Sequence, residues 1–142
     1  MKTYYICSGG FDPIHEGHIA NILESGQQSD GVIVLPNSDD WLCRKKGKNF
    51  MSYATRAAIV GAIKGVIDVI PFDDSDNSAC EGLRAVRAKY PNDRLVFAKG
   101  GDRTADNIPE IPVAEELDIE IKYYVGGGKI NSSSEILNKY RQ

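Results

Sequence analysis

The chain has 142 residues, 42% of them hydrophobic and 26% charged, which is the length and composition of one globular domain able to bury a core without staples. Its net charge of -3 gives no broad basic field for nucleic acid, and no apolar run approaches the roughly 20 residues that cross a bilayer. Three cysteines (Cys7, Cys43 and Cys80) are an odd count with no C-x-x-C, and "MKTYYICSGG" has no secretory core, so a cytoplasmic protein with reduced thiols and no targeting segment is expected.

In chain order, a first strand over residues 4–7 leads into "SGGFDPIHEGH", and Gly17 and His18 open a helix marked by Ile19, Ile22 and Leu23. A second strand, 31–36, is followed by "NSDDWLCRKKGKNF", which reads as a loop carrying Arg44, Lys45, Lys46 and Lys48 as mobile cations. Ile59, Ala62, Ile63 and Val66 keep helical spacing before a third strand at 66–72. After "DDSDNS", the S-x-x-E signal of Ser78 and Glu81 marks the start of a helix with Leu83, Val86 and Tyr90 on one face. A fourth strand, 94–98, runs into "KGGDRTADNIPE", and a fifth, 119–125, into "GGGKINSSSE", where Ser132 and Glu135 form a second capping signal. Buried strands alternating with helices predict an α/β fold: a Rossmann-like, doubly wound, five-stranded parallel sheet in a single domain, 1–142. Ligands of such sheets bind beyond the carboxyl ends of the strands, which singles out these loops.

The loops exclude some chemistry. There is no G-x-G-x-x-G, and "GGGKI" lacks both the leading glycine and the Ser or Thr of a phosphate loop. His15 and His18 are the only histidines, whereas zinc needs three or four ligands, so no metal is assigned to them. Packing beneath the loop or anion binding remain. A strand, a Gly-Gly turn and a helix N-terminus are the setting in which backbone N–H groups and an imidazole face an anion. Ser132, Ser133 and Ser134 offer three hydroxyls at another helix start, where capping accounts for one. With the lysine cluster on the same rim, the pattern points to a polyphosphate.

At these residues the sequence resembles the nucleotidylyltransferase superfamily with the H-x-G-H signature, here "HEGH", over almost the whole chain. "KKGKNFMSYATRAAIVGAIKGVIDVIPF" is similar to the adenylyltransferase domain of ADP-heptose synthase and to glycerol-3-phosphate cytidylyltransferase. "KGGD", residues 99–102, is most like the heptose-1-phosphate adenylyltransferases, and "NSSSEI" resembles the carboxyl-terminal S-T-T or S-S-T motif. "GGFDPIH" is closer to adenylyltransferases that make NAD or coenzyme A precursors, and it argues for ATP over CTP. The resemblance implies transfer of a nucleoside monophosphate from a nucleoside triphosphate to a phosphorylated sugar or polyol, releasing pyrophosphate. The alternatives are a nicotinamide-mononucleotide or phosphopantetheine adenylyltransferase and, in another class, a non-catalytic nucleotide-binding module.

Carried over residue by residue, the resemblance implies that His15 and His18 donate to the triphosphate, with Lys45, or its competitor Lys46, neutralising charge between the phosphates. Ser132, Ser133 and Ser134 would hold the departing phosphates, Gly10 and Phe11 would pass backbone close to the nucleotide, and Asp102 would lie near the ribose or base. Arg56 would touch phosphate or tie down the lysine loop. A Mg²⁺ ion bridging phosphates and a homodimer are also implied. The acceptor pocket is expected from residues 73–77 and 103–107.

Overall fold

The structure, a computed structural model, describes residues 1–99 and 108–123. Its elements are β1 (Thr3–Gly9), α1 (Glu16–Gln27), β2 (Gly31–Pro36), α2 (Asp39–Lys46), α3 (Tyr53–Gly61), β3 (Val66–Val69), α4 (Cys80–Lys89), β4 (Arg94–Lys99), α5 (Glu110–Glu116) and β5 (Ile119–Tyr123). The strands form one parallel sheet in the order β3-β2-β1-β4-β5. From β1 the chain builds outward through β2 to β3, then returns to the other side of β1 to lay down β4 and β5. That reversal opens a crevice at the carboxyl ends of β1 and β4, the place where ligands of such sheets bind.

Period-two alternation sorts the core into two layers. Tyr5, Cys7, Val32, Val34 and Val96 face α1 and α3, packing on Ile22 and Val60. Ile6, Ile33, Leu35, Leu95 and Phe97 face the opposite way, onto Leu83 and Val86 of α4 and Ala114 of α5. All six residues of β2 are buried, as a strand covered on both faces requires. The expected α/β fold with a five-stranded parallel sheet is therefore the observed one.

Several local expectations are corrected. The lysine segment is not a mobile loop: Asp39–Lys46 is helical, Ser38 Oγ accepts the Trp41 N–H at 3.0 Å, and Gly47 closes the helix at φ +87°. Asp39 and Asp40 sit in its first turn and Arg44, Lys45 and Lys46 in its last, both favourable to the helix dipole. Residues 110–116 are also helical, with Pro112 tolerated in the first turn, where its missing N–H has no intrahelical partner to lose. β3 stops at Val69, two residues before Pro71, which has no N–H for a ladder. Ser78 is not the N-cap of α4: that position is Ala79, without a side-chain cap, and Ser78 Oγ accepts the N–H of Cys80 while donating to Asp76. The fifth strand is seen to Tyr123, and the rest of the expected span, with Ser132 and Glu135, lies outside the described residues.

Candidate active site

The turn between β1 and α1 is held from below. Gly10 packs closely on α2: a Cβ there would lie 3.1 Å from Leu42 Cδ2, so the leucine would have to give by a few tenths of an ångström. Phe11 takes a left-handed conformation (φ 54°) and buries its ring in the α1/α3 layer, an uncommon backbone choice for an aromatic residue that packing must enforce. Asp12 is buried, and its two carboxylate oxygens accept the N–H groups of Phe50 and Met51, both at 2.6 Å. The Asp12–Pro13 peptide bond is cis.

Arg56, on α3, completes the scaffold. Fully buried, it donates through Nε to Met51 O (3.1 Å), through Nη1 to Gly10 O (2.8 Å) and Asn37 O (2.7 Å), and through Nη2 to Asp39 Oδ1 (2.8 Å). The loops after β1 and β2 and the segment leading into α3 are thus fastened to one guanidinium. Of the two roles open to it from sequence, its contacts in this structure are those of the tie.

His15 is the N-cap of α1. Its Nδ1 accepts the Gly17 N–H at 3.1 Å, and His18 Nδ1 reaches back to accept the His15 N–H at 3.2 Å, so two imidazoles perform the reciprocal capping that a hydroxyl and a carboxylate usually perform. The rings stack with centroids 3.8 Å apart, and Phe11 meets His18 edge-on at 4.9 Å. Because each Nδ1 is an acceptor, this network assigns the hydrogen of each neutral ring to Nε2. Burial, the neighbouring His15 and Lys46 push the His18 pKa down to about 3, and burial leads the lowering at His15. Both are neutral donors near pH 7, before any phosphate arrives.

The two adjacent lysines are separated by the turn of α2. Lys46 Nζ donates to Asp12 O at 3.2 Å, its own pKa lowered chiefly by burial, and its charge is felt by both histidines. Lys45 instead lies with Nζ 4.7 Å from the centre of the Trp41 ring and lines a pocket of about 240 Å³. That pocket is bounded by Ser8, Gly9 and Gly10 from β1 and its turn, Ala98 and Lys99 from β4, and Glu110 from α5. Its far wall, Asn77 and Ser78, is tied to α2 through Asp74, whose carboxylate accepts from the Ser38 N–H (2.8 Å), Ser38 Oγ (2.7 Å) and Asn37 Nδ2 (3.1 Å). Of the residues expected in an acceptor pocket, Asn77 lines this one, whereas Asp73 caps Ser75 and 103–107 lie outside the described residues.

The structure therefore brings His15, His18, Lys46 and the Gly10–Phe11 turn together, sets Lys45 on the neighbouring pocket and buries Arg56 beneath both. Asp102, Ser132, Ser133 and Ser134 lie outside the described residues. Sequence reasoning missed Asp12, Trp41 and Glu110, whereas Asp74 fell within the 73–77 segment expected at the acceptor pocket. Asp12 had a signal in its place inside the quoted turn; Trp41 and Glu110 are made relevant only by the fold. A protein cage for magnesium does not fit among the described residues: no three His, Cys, Asp or Glu side chains cluster to hold a metal, and the Asp12 carboxylate is occupied by two backbone N–H groups.

Comparison with known proteins places the chain in a family with this fold. The family model for cytidylyltransferase-like proteins matches residues 6–138. The chain belongs to that family, whose members are nucleotidyltransferases. Among curated proteins it is 35% identical over 136 residues to the bifunctional protein HldE of Nitrosococcus oceani, which covers 93% of this chain and 27% of that protein. The chain thus spans about a quarter of the length of that relative. Among solved structures, a lipopolysaccharide core biosynthesis protein from Thermoplasma volcanium aligns with a TM-score of 0.64 at 23% identity, over 87% of this chain and 95% of that one. A bifunctional NMN adenylyltransferase/ADP ribose pyrophosphatase from Francisella tularensis aligns with a TM-score of 0.72 at 18% identity, over 99% and 42%; these two likenesses show a shared fold. No helix among the described residues is long and apolar enough to cross a membrane.

Two outcomes follow from the site's construction. Arg56→Met should lower unfolding free energy by at least about 3 kcal/mol in urea denaturation, since it strands buried carbonyls and removes one side of an ion pair; a loss under 1 kcal/mol would contradict the tie. The histidines also couple stability to pH. With the folded pKa of His18 depressed to about 3, the unfolded chain binds a proton there that the folded chain excludes. That contribution is present above the unfolded value and fades as pH falls, so between pH 7 and 5 the chain should lose up to about 2 kcal/mol at this residue. Denaturation of the wild type and His18→Gln at the two pH values measures it, and equal slopes would count against exclusion of the proton.

Proposed function

We propose that this chain transfers an adenylyl group from ATP to a phosphorylated sugar or polyol, with release of pyrophosphate. The observation supporting this reading is the pair of stacked, neutral imidazoles, whose Nε2–H groups have no hydrogen bond among the described residues, beside the Lys46 ammonium at the crevice of the sheet. An oxygen of the acceptor's phosphate attacks the α-phosphorus in line, the bond to the bridging oxygen of the β-phosphate breaks, and pyrophosphate leaves with that electron pair. The attacking phosphate is already ionised, so no general base is required. The protein's task reduces to positioning and to donors aimed at the charge that develops.

In this reading His18 and His15 donate to the triphosphate and Lys46, rather than Lys45, carries the positive charge beside them. The resemblance assigns Ser132, Ser133 and Ser134 to the leaving phosphates, Asp102 to the ribose or base, and the backbone of Gly10 and Phe11 to the approach of the nucleotide. Mg²⁺ would arrive on the phosphate oxygens. ATP is favoured by the first loop, "GGFDPIH", and the sugar phosphate by the HldE relatives together with "KGGD". The same first loop supports a second reading, a nicotinamide-mononucleotide adenylyltransferase.

The test is pyrophosphate release from ATP, CTP, GTP and UTP, each with a panel of sugar, glycerol, pantetheine and nicotinamide-riboside phosphates. ATP with a sugar or polyol phosphate should be the productive pair. Its turnover should fall about 10²- to 10³-fold in His18→Ala with the circular dichroism spectrum unchanged, the usual effect of deleting one preorganised donor. No release with any pair would leave a nucleotide-binding module as the better account.

A further inference from the structure

Glu110 has a place in the pocket that the chemistry above does not use. It lines the same pocket as Lys45, its side chain is only 5% exposed, Oε1 accepts the Ala79 N–H at 3.3 Å, and Lys99 Nζ is 3.9 Å from the same oxygen. Its other oxygen, Oε2, is buried with no hydrogen-bond partner among the described residues. A carboxylate oxygen removed from water without a donor is strongly disfavoured unless a donor is supplied. The terminal torsion of a glutamate is broad and roughly two-fold, so the carboxylate can turn within the pocket wall to which it belongs.

We propose that Glu110 is a specificity-determining residue that accepts a hydrogen bond from a hydroxyl of the phosphate acceptor, which makes the acceptor a compact polyhydroxylated phosphate ester. This rests on the nucleotidyl-transfer reading above. Neither histidine lines the pocket, yet it shares the Gly9–Gly10 backbone with the turn that leads to them, so a molecule held there lies beside the triphosphate rather than in its place. Its lining suits such an ester: Lys45 and Lys99 supply positive charge for the phosphate, Asn37, Asn77 and Ser78 supply amide and hydroxyl groups, and Trp41 supplies an apolar face. At about 240 Å³ the described part of the pocket has room for a small ester.

With ATP saturating, pyrophosphate release by the full chain is compared for glucose 1-phosphate, mannose 1-phosphate, a heptose 1-phosphate, glycerol 3-phosphate, nicotinamide mononucleotide and 4′-phosphopantetheine. A polyhydroxylated ester should be the best acceptor, and Glu110→Met, which has no acceptor oxygen, should raise its KM about tenfold or more while kcat and the KM for ATP change less than about threefold, because a site built around a hydroxyl discriminates strongly when that bond is lost. Deoxy analogues of the best acceptor provide the second arm: one of them should lose a similar factor with the wild type and little with Glu110→Met. An unchanged acceptor KM, a rise in the KM for ATP instead, or a preference for nicotinamide mononucleotide or phosphopantetheine would overturn the proposal while leaving nucleotidyl transfer standing. Should Glu110→Met not fold, the wild-type deoxy series decides, and the absence of any tenfold position overturns it. No release with any acceptor removes the nucleotidyl-transfer reading and this proposal with it.

Discussion

The site depends on one buried guanidinium. Arg56 gathers the carbonyls of Gly10, Asn37 and Met51 and the carboxylate of Asp39, which belong to separate loops that the sheet only brings into the same neighbourhood. A planar fork with fixed donors can meet several acceptors in definite directions, which a lysine cannot. Asp12 works from the other side, binding the N–H groups of Phe50 and Met51, so the β1–α1 turn is clamped to the segment before α3 by charges of both signs. Asp12 is buried and Arg56 fully so; the energy of each resides in hydrogen bonds that would otherwise be missing, rather than in bare attraction between ions.

On that platform the histidines obtain their chemistry from local geometry. Capping backbone N–H groups with both Nδ1 atoms fixes the tautomer, and burial beside a lysine keeps the rings uncharged. A neutral imidazole keeps one N–H donor, and at a helix start that donor stands where the dipole favours an anion. It also leaves Lys46 as the charged member of the group, placed by its bond to Asp12 O. The sheet's strand order supplies the rest: the reversal between β1 and β4 creates the crevice, and Gly9 and Gly10 form the thin wall between the histidine side and the pocket.

The fold was largely legible because strands buried on both faces must be continuous apolar runs, as "GVIVLP" is. What escaped were helices whose signals are polar. α2 has a serine cap, two aspartates, three cations and a glycine stop, a nearly complete set of helix-end signals, but its apolar periodicity is weak and it passed for a loop. α5 was hidden by Pro112. The site was legible as a set of residue types and less so as an arrangement. Spacing marked His15 and His18, but choosing between Lys45 and Lys46 needs the turn of α2, which sends one toward Trp41 and the other toward Asp12. Glu110 is one acidic residue in a proline-rich stretch until the fold buries it beside Lys99.

The role proposed for the two neutral imidazoles is to present Nε2–H donors to a polyphosphate. A ¹⁵N–¹H long-range correlation spectrum of the two histidines at pH 7, recorded with and without α,β-methylene-ATP, tests it. Both rings should be neutral with the hydrogen on Nε2 in the free chain, and the Nε2 signals should shift on addition of the nucleotide. Imidazolium rings, hydrogens on Nδ1, or Nε2 signals indifferent to the nucleotide would contradict it.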